Sequence, residues 1–334
     1  MKECSTKAEM SRKGVFLSSS LYREGEEDFG ACLDAVRSES GEALRSVEQV
    51  YAATILGDMG EEQEALAGRR VPMTLQNDFL EALRGAGGVP VTLVSTACVS
   101  GATALALARA RLVAGHAERV GVVAFEQCSP FLSEGFGALR CLTDRPAPYT
   151  RGQPGFRLAP GFGWLALSSH PEEGNGIRLT GAATTNDAAH LTGPDREGLG
   201  LRRAIESALR QAGVSPHEVD AIKLNGAGTG PADASEYQAL KACFGDRLPE
   251  IPCLCLKPVI GHMQGACGVV ETILASEALL LQRLPGIPEA MRQEVEFPFY
   301  FPEREGGFGM SRMLLVYSGM GGQNAALILE REDG

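Results

Sequence analysis

Short runs of apolar, largely β-branched residues recur along the chain, and many lead into longer stretches with helical spacing. Residues 14–18 (GVFLS), 47–56 (VEQVYAATIL), 89–94 and 119–125 (RVGVVAF) read as strands, with Val89, Val91, Leu93 and Val94 marking the third as buried. Residues 29–44 and 74–83 carry helical spacing, and 57–68 reads as a loop with a short helix. The third run passes through Ser95-Thr96-Ala97-Cys98 into an Ala- and Leu-rich helix with little polar interruption before Arg109. Residues 142–157 are turn-rich, and a glycine turn and strand resume over 161–167.

The same grammar then repeats. Strands are predicted over 177–183, 219–224 and 252–256, with helices over 198–211, 234–243 and 269–284. Residues 313–317 and 326–329 form a strand pair around a glycine turn. Strands alternating with helices predict a layered α/β architecture. His170-Pro171-Glu172-Glu173-Gly174-Asn175-Gly176 is the strongest connector. It divides the chain into a disordered start (1–13), a first half (14–170) and a second half (171–334).

Composition narrows the function classes. A chain of 334 residues suits one large domain or two packed halves. The formal charge is −11, from 31 Lys+Arg against 42 Asp+Glu, and no basic block stands out, which argues against nucleic acid as a partner. The polar start MKECSTKAEMSRKG has no apolar core for a signal peptide, and no stretch reads as a membrane span. The nine cysteines are unevenly spaced and form no CxxC pair, so a reducing cytoplasm is expected and a metal site is not. The acidic run Glu24-Gly25-Glu26-Glu27-Asp28 reads as a solvated loop or helix start, with partner contact the lesser alternative.

Candidate chemistry sits where strands end. Cys98 lies at a strand-to-helix turn, where unpaired N–H groups favour an anion and should lower the thiol pKa. The bland alternative is an inert core cysteine. Gly101 leaves room for a ligand or a second backbone. Glu126-Gln127-Cys128-Ser129 suits a loop at a pocket rim. Two further loops follow predicted strands: Asn225-Gly226-Ala227-Gly228-Thr229-Gly230, and Lys257 to His262 with Glu271 nine residues on. On spacing alone, His262 serves equally well as a helix cap, and Lys257 as the partner of a surface acid. The turn Ser318-Gly319-Met320-Gly321-Gly322-Gln323-Asn324 can present N–H groups to a developing oxyanion. It lacks the context of a dinucleotide fingerprint, and the 226–230 loop lacks the Lys-Ser/Thr ending of a phosphate loop.

Taken in order, these pieces resemble the β-ketoacyl synthases of the thiolase superfamily. Thr96-Ala97-Cys98-Val99-Ser100-Gly101 is similar to their nucleophile motif, and Gly155-Phe156-Arg157-Leu158-Ala159-Pro160-Gly161-Phe162-Gly163 to their glycine-rich strand entry, with Pro160 at a usually acidic position. Asp187-Ala188-Ala189-His190-Leu191-Thr192 resembles a segment of their pantetheine tunnel. Lys257 through Glu271 resembles their lysine, histidine and glutamate motif. Gly319-Met320-Gly321-Gly322 resembles their glycine turn, with Met320 where a phenylalanine usually stands. The resemblance covers residues 50 to 330. It implies a thiolase-like fold with a duplicated αβαβα core.

It also implies roles. Cys98, His262, Asn225, Lys257 and Glu271 would form the catalytic set, and the N–H groups of Cys98 and Met320 the oxyanion hole. Thr192 and Thr229 would contact phosphopantetheine carried by the substrate, with no tightly bound cofactor and no metal. The implied partners are an acyl carrier protein or coenzyme A thioester and a second subunit, either a copy or a companion synthase. The glycine-flanked strand 119–125 is the candidate edge for pairing, and Arg202 and Arg203 a candidate carrier patch. Two departures matter. Asn225 stands where the family has histidine, and the stretch before Cys98 is shorter than in an elongating synthase, so parts of the dimer surface or pocket cover are expected to be missing. Three functions follow: condensing acyltransferase, non-elongating acyltransferase or hydrolase, and quiet partner subunit like a chain-length factor.

Overall fold

The computed structural model describes residues 15–24, 32, 35, 46–55, 88–152, 155–292 and 295–332. The disordered start expected over 1–13, the acidic run after Glu24, the loop at 57–68 and the helix at 74–83 lie outside them, as does nearly all of the helix expected over 29–44.

In the first half, β1 (Phe16–Glu24), β2 (Gln49–Ala53), β3 (Val91–Val94), β4 (Arg119–Glu126) and β5 (Gly161–Ser168) surround helices α1 (Ser100–Val113) and α2 (Pro130–Ala138). The second half contributes β6 (Ile177–Asn186), α3 (Leu199–Ala212), β7 (Ala221–Lys223), α4 (Gly230–Phe244), β8 (Cys253–Leu254) and α5 (Cys267–Leu281). A small pair, β9 (Arg283–Leu284) and β10 (Gly306–Gly307), precedes the hairpin β11 (Arg312–Gly319) and β12 (Gln323–Arg331).

Ten strands join in the order β3-β2-β4-β5-β1-β6-β12-β11-β7-β8. Outward from the centre, one arm runs β1, β5, β4, β2, β3 and the other β6, β12, β11, β7, β8. The pairing senses match, antiparallel near the centre and parallel at the ends. β1 meets β6 through the pair Phe16–Arg178. The arms therefore repeat one topology, the duplicated core of the thiolase-like fold.

Side-chain alternation assigns the layers. Val120, Val122 and Ala124 of β4 share one core with Leu327 and Leu329 of β12 and with the buried faces of α1 and α5. Their neighbours in sequence face the opposite way. Val123 and Phe125 join Trp164 in an outer core, whereas Ala326 and Ile328 pack with α3 and α4. The period-two pattern of the strands thus builds a sandwich with α1 and α5 as its inner layer. A Cβ on Gly101 would lie 2.9 Å from the Gly265 carbonyl oxygen, and one on Gly268 would lie 2.0 Å from the Ala102 nitrogen. The two inner helices cross backbone to backbone there, so Gly101 makes room for a helix rather than a ligand.

Other expectations shift. The strand at 119–125 is not an edge: β4 lies between β2 and β5, and β3 and β8 end the described sheet. Helix α4 starts at Gly230, earlier than residue 234. Helix α2 follows directly after β4, started by Pro130 and by Ser129, whose hydroxyl accepts from the Leu132 N–H at 3.2 Å. Residues Gln264–Leu281 are apolar and long enough to cross a membrane by length and composition, contrary to the sequence reading. Here 72% of that window is buried, which suits a core helix.

Candidate active site

The inner helices bring four strand ends together. Cys98, Asn225, His262 and Met320 line one cavity of about 400 Å³, with Phe136 and Phe156 forming apolar wall. Thr192 and Thr229 line the same cavity; Thr229 makes no capping bond to α4. Lys257 and Glu271 are buried but absent from the lining, and they stand behind it.

Cys98 follows Ala97, whose φ of 53° lies in the left-handed region, at a cost of order 1 kcal/mol for a non-glycine residue. Ser100 holds this elbow: its hydroxyl accepts from the Thr96 N–H at 2.9 Å and donates to the Ala97 carbonyl at 2.6 Å. The backbone N–H groups of Met320 and of Cys98 itself point at the sulfur. Gly319 lets the hairpin turn approach: a Cβ there would sit 3.3 Å from the Cys98 nitrogen and 3.1 Å from Val99 Cγ2.

The expected lowering of the thiol pKa is not found. Burial pushes Cys98 up to about 11; Lys257 pulls it down, Glu126 pushes it up, and the two N–H groups recover part of the shift. Desolvation outweighs the helix start. Cys98 is shifted less than the buried thiols Cys253, Cys255 and Cys267, which burial drives further upward. Glu126 is no pocket-rim residue. It ends β4 fully buried, accepts a short bond from the Ile55 N–H, and is pushed by burial up to about 8.

His262 and Asn225 are both held as donors. The Gln264 N–H donates to His262 Nδ1 at 3.0 Å, and the Cys267 sulfur lies 3.3 Å from the same nitrogen. The proton therefore sits on Nε2. Burial, then Lys257, pulls the imidazole pKa down to about 3, so the ring is neutral. Phe156 packs edge-on at 4.7 Å between centroids. Lys257 Nζ lies 2.7 Å from the Asn225 carbonyl and 3.2 Å from Asn225 Oδ1. An ammonium only donates, so this contact identifies the side-chain oxygen and leaves Nδ2 as the amide's free end.

A buried ionic row stands behind these donors. Glu271 takes Lys257 on Oε1 at 2.9 Å and Lys223 on Oε2 at short range. Burial opposes the charge on Lys257, but Glu271 overrides it and holds the ammonium above its ordinary range. Burial pulls Lys223 below its ordinary value. Burial alone would raise Glu271; the two lysines hold it below the usual carboxylate range.

Sequence reasoning missed the residues that shape the 225–228 loop. Glu236 accepts the Asn225 N–H at 2.6 Å and the Tyr149 hydroxyl at 2.7 Å; Asp233 accepts the Gly228 N–H at 3.0 Å and the Tyr149 N–H at 2.8 Å. Burial pushes Asp233 up to about 7 and raises Glu236. The available signal was two acids three apart in a helix directly after a glycine loop. Lys223, inside a predicted strand, was a second one.

A cysteine elbow under two N–H groups, opposite a neutral histidine on a duplicated αβαβα core, is the arrangement that the thiolase-like resemblance implies. A family model described as beta-ketoacyl synthase, C-terminal domain, matches residues 177–289. A Streptomyces cyaneus protein with the provisional name polyketide beta-ketoacyl synthase 1 is 31% identical over 276 residues, 77% of this chain and 64% of its own length. The 3-oxoacyl-(acyl-carrier-protein) synthase 2 of Coxiella burnetii is 28% identical over 256 residues, 72% of this chain and 62% of its own length. This chain thus spans under two thirds of each of these relatives. A solved ketosynthase in complex with its chain length factor from Xenorhabdus doucetiae superposes with a TM-score of 0.82 at 20% identity, covering 98% of this chain and 100% of that one. Residues 177–289 thus match the beta-ketoacyl synthase C-terminal model, and most of the chain is similar in sequence to β-ketoacyl synthases.

Proposed function

We propose that this protein takes an acyl group from a carrier thioester onto Cys98 and condenses it, slowly, with a malonyl thioester. The observation that carries the reading is Cys98 Sγ beneath the N–H groups of Met320 and Cys98, facing two fixed donors across one cavity. In the first half-reaction the sulfur attacks the thioester carbonyl, the two N–H groups receive the oxyanion, and the carrier thiol leaves with the proton. The histidine Nε2 already bears a proton, so His262 is a donor here and not the base for the thiol. In the second half-reaction Asn225 Nδ2 and His262 Nε2 hold the malonyl thioester oxygen as carbon dioxide leaves and enolate charge grows. The carbanion then attacks the acyl carbonyl, and the Cys98 thiolate departs.

The partners on this reading are an acyl carrier protein or coenzyme A thioester, whose phosphopantetheine passes Thr192 and Thr229, and a second copy or companion synthase subunit. Arg140, at the cavity lining, suits an acidic carrier better than Arg202, which is tied to Glu206 at 2.8 Å. A cytoplasmic setting fits the free thiols. Asn225 favours a second reading, acyl transfer or hydrolysis without chain extension. The test is mass spectrometry after mixing with acyl-carrier and acyl-coenzyme A thioesters. An acyl adduct on Cys98, lost in Cys98→Ala, is expected. A protein that never acquires the adduct belongs instead with catalytically quiet partner subunits.

A further inference from the structure

Lys223 is a cation in the middle of a sheet. It sits on β7 between β8 and β11, opposite Leu254 and Leu315, with no exposure to solvent. Burying an ammonium costs several kcal/mol unless it is well paired. Lys223 has two partners: Glu271 Oε2, and the face of Tyr317, 3.5 Å from nitrogen to ring centroid. Nothing in the proposed chemistry calls for this second lysine, because Lys257 is the one that touches Asn225.

The geometry points to Lys223 as a positioning residue that keeps the Asn225 amide aimed as a donor, acting through Glu271 and Lys257. This rests on the condensing role proposed for Asn225. Lys257 pairs ionically with Glu271 Oε1 at 2.9 Å and donates hydrogen bonds to the Asn225 carbonyl at 2.7 Å and to Asn225 Oδ1 at 3.2 Å. The contact to Oδ1 is the longest of the three, yet it alone fixes which end of the amide faces the cavity. Glu271 has two oxygens. With Lys223 on one, only the other reaches Lys257. Without Lys223 the freed carboxylate oxygen competes for a second Lys257 proton, and the bond to Oδ1 is the first to go. The amide then turns freely and presents its oxygen to the enolate for part of the time.

The test reads Asn225 directly, so it does not depend on turnover. The chain has five asparagines, so side-chain amides of the ¹⁵N-asparagine-labelled protein give five resonance pairs, and Asn225→His assigns one of them. In Lys223→Met the Asn225 pair should move towards the position of a solvated amide, with the other four pairs unchanged. Lys223→Arg, which keeps the charge, should restore it. Decarboxylation of malonyl thioester should fall about tenfold through kcat, less than the ~10²–10³ for deleting a donor outright. The pH profile of Cys98 alkylation should superimpose on that of the unmodified protein. If Lys223→Met does not fold, Lys223→Gln carries the test, with a smaller shift in the same direction. An Asn225 pair that stays in place in a folded Lys223 variant overturns the proposal, as does a general loss of dispersion across all five. A displaced Asn225 pair in a protein that forms no acyl adduct would uphold the positioning and remove the condensing role.

Discussion

The two arms of the sheet place comparable junctions side by side and use them differently. In the first arm the chain leaves β3 at Val94 and enters α1 at Ser100, with only residues 95–99 between. In the second it leaves β8 at Leu254 and enters α5 at Cys267, with residues 255–266 between, including a helical turn Lys257–Ile260. The short junction offers backbone N–H groups and one thiol. The long one has enough backbone to present an ammonium and an imidazole from separate turns. Burial then neutralises both lining groups, moving Cys98 up to about 11 and His262 down to about 3. Behind the lining stands the row Lys223, Glu271 and Lys257, in which one carboxylate faces two lysines. One framework thus yields a buried thiol on one side and fixed hydrogen-bond donors on the other. The lesson is that junction length, more than fold, divides the labour.

That division can be broken from the donor side first. His262→Ala should slow malonyl decarboxylation by ~10²–10³, about 2.7–4 kcal/mol of barrier, while the rate of Cys98 acylation changes far less. Equal losses in both half-reactions, measured by carbon dioxide release and by adduct formation, would mean that the two junctions do not have separate tasks.

Asn225→His sharpens the contrast in the opposite direction. General acid–base groups contribute ~10²–10⁴, and an amide that still donates one hydrogen bond retains part of this, so a gain of about 10–10² in carbon dioxide release is expected. Adduct formation should stay level. Ala227, which also lines the cavity, limits the gain through extender binding. Efficient condensation by the unmodified protein, with no gain on substitution, would show that Asn225 and His262 already form a sufficient pair.

The smallest effect concerns pH. With the thiol near 11, the thiolate fraction grows about tenfold per pH unit through neutrality, so iodoacetamide alkylation of Cys98 should climb at that slope from pH 7 to 9. His262, at about 3, is neutral across this range and adds no inflection near 6.5. A plateau above pH 7 would restore the thiolate expected from the helix start alone.

The alternation of strands and helices, and the loops at strand ends, were legible because both depend on local spacing. Residues 177–183 extend to β6, residues 269–284 overlap α5, and the 313–317 and 326–329 runs became the β11–β12 hairpin. The candidates Cys98, Asn225, His262, Met320, Thr192 and Thr229 could be named from their motifs, although nothing local showed that they share a cavity. Asp233 and Glu236 passed unnoticed because an acid near a helix start ordinarily faces water. Only the return of residue 149 beneath that helix buries them.

Sequence alone therefore determined the α/β grammar, the repeated pattern of the two halves and the chemical identity of the candidate groups, all properties of residue type and near-neighbour spacing. Tertiary structure decided which strand is interior, which acid is buried, and the ionisation of each group. Those depend on desolvation and on contacts between residues far apart in the chain. Glu126 moved from an expected pocket rim to a sealed strand end, where Gly265 packs against its carboxylate, and Cys98 from an expected thiolate to a buried neutral thiol beneath the Gly319 turn. The aim of the Asn225 amide was decided in the same way. It depends on Lys257, thirty-two residues away, and on the carboxylate that Lys257 shares with Lys223.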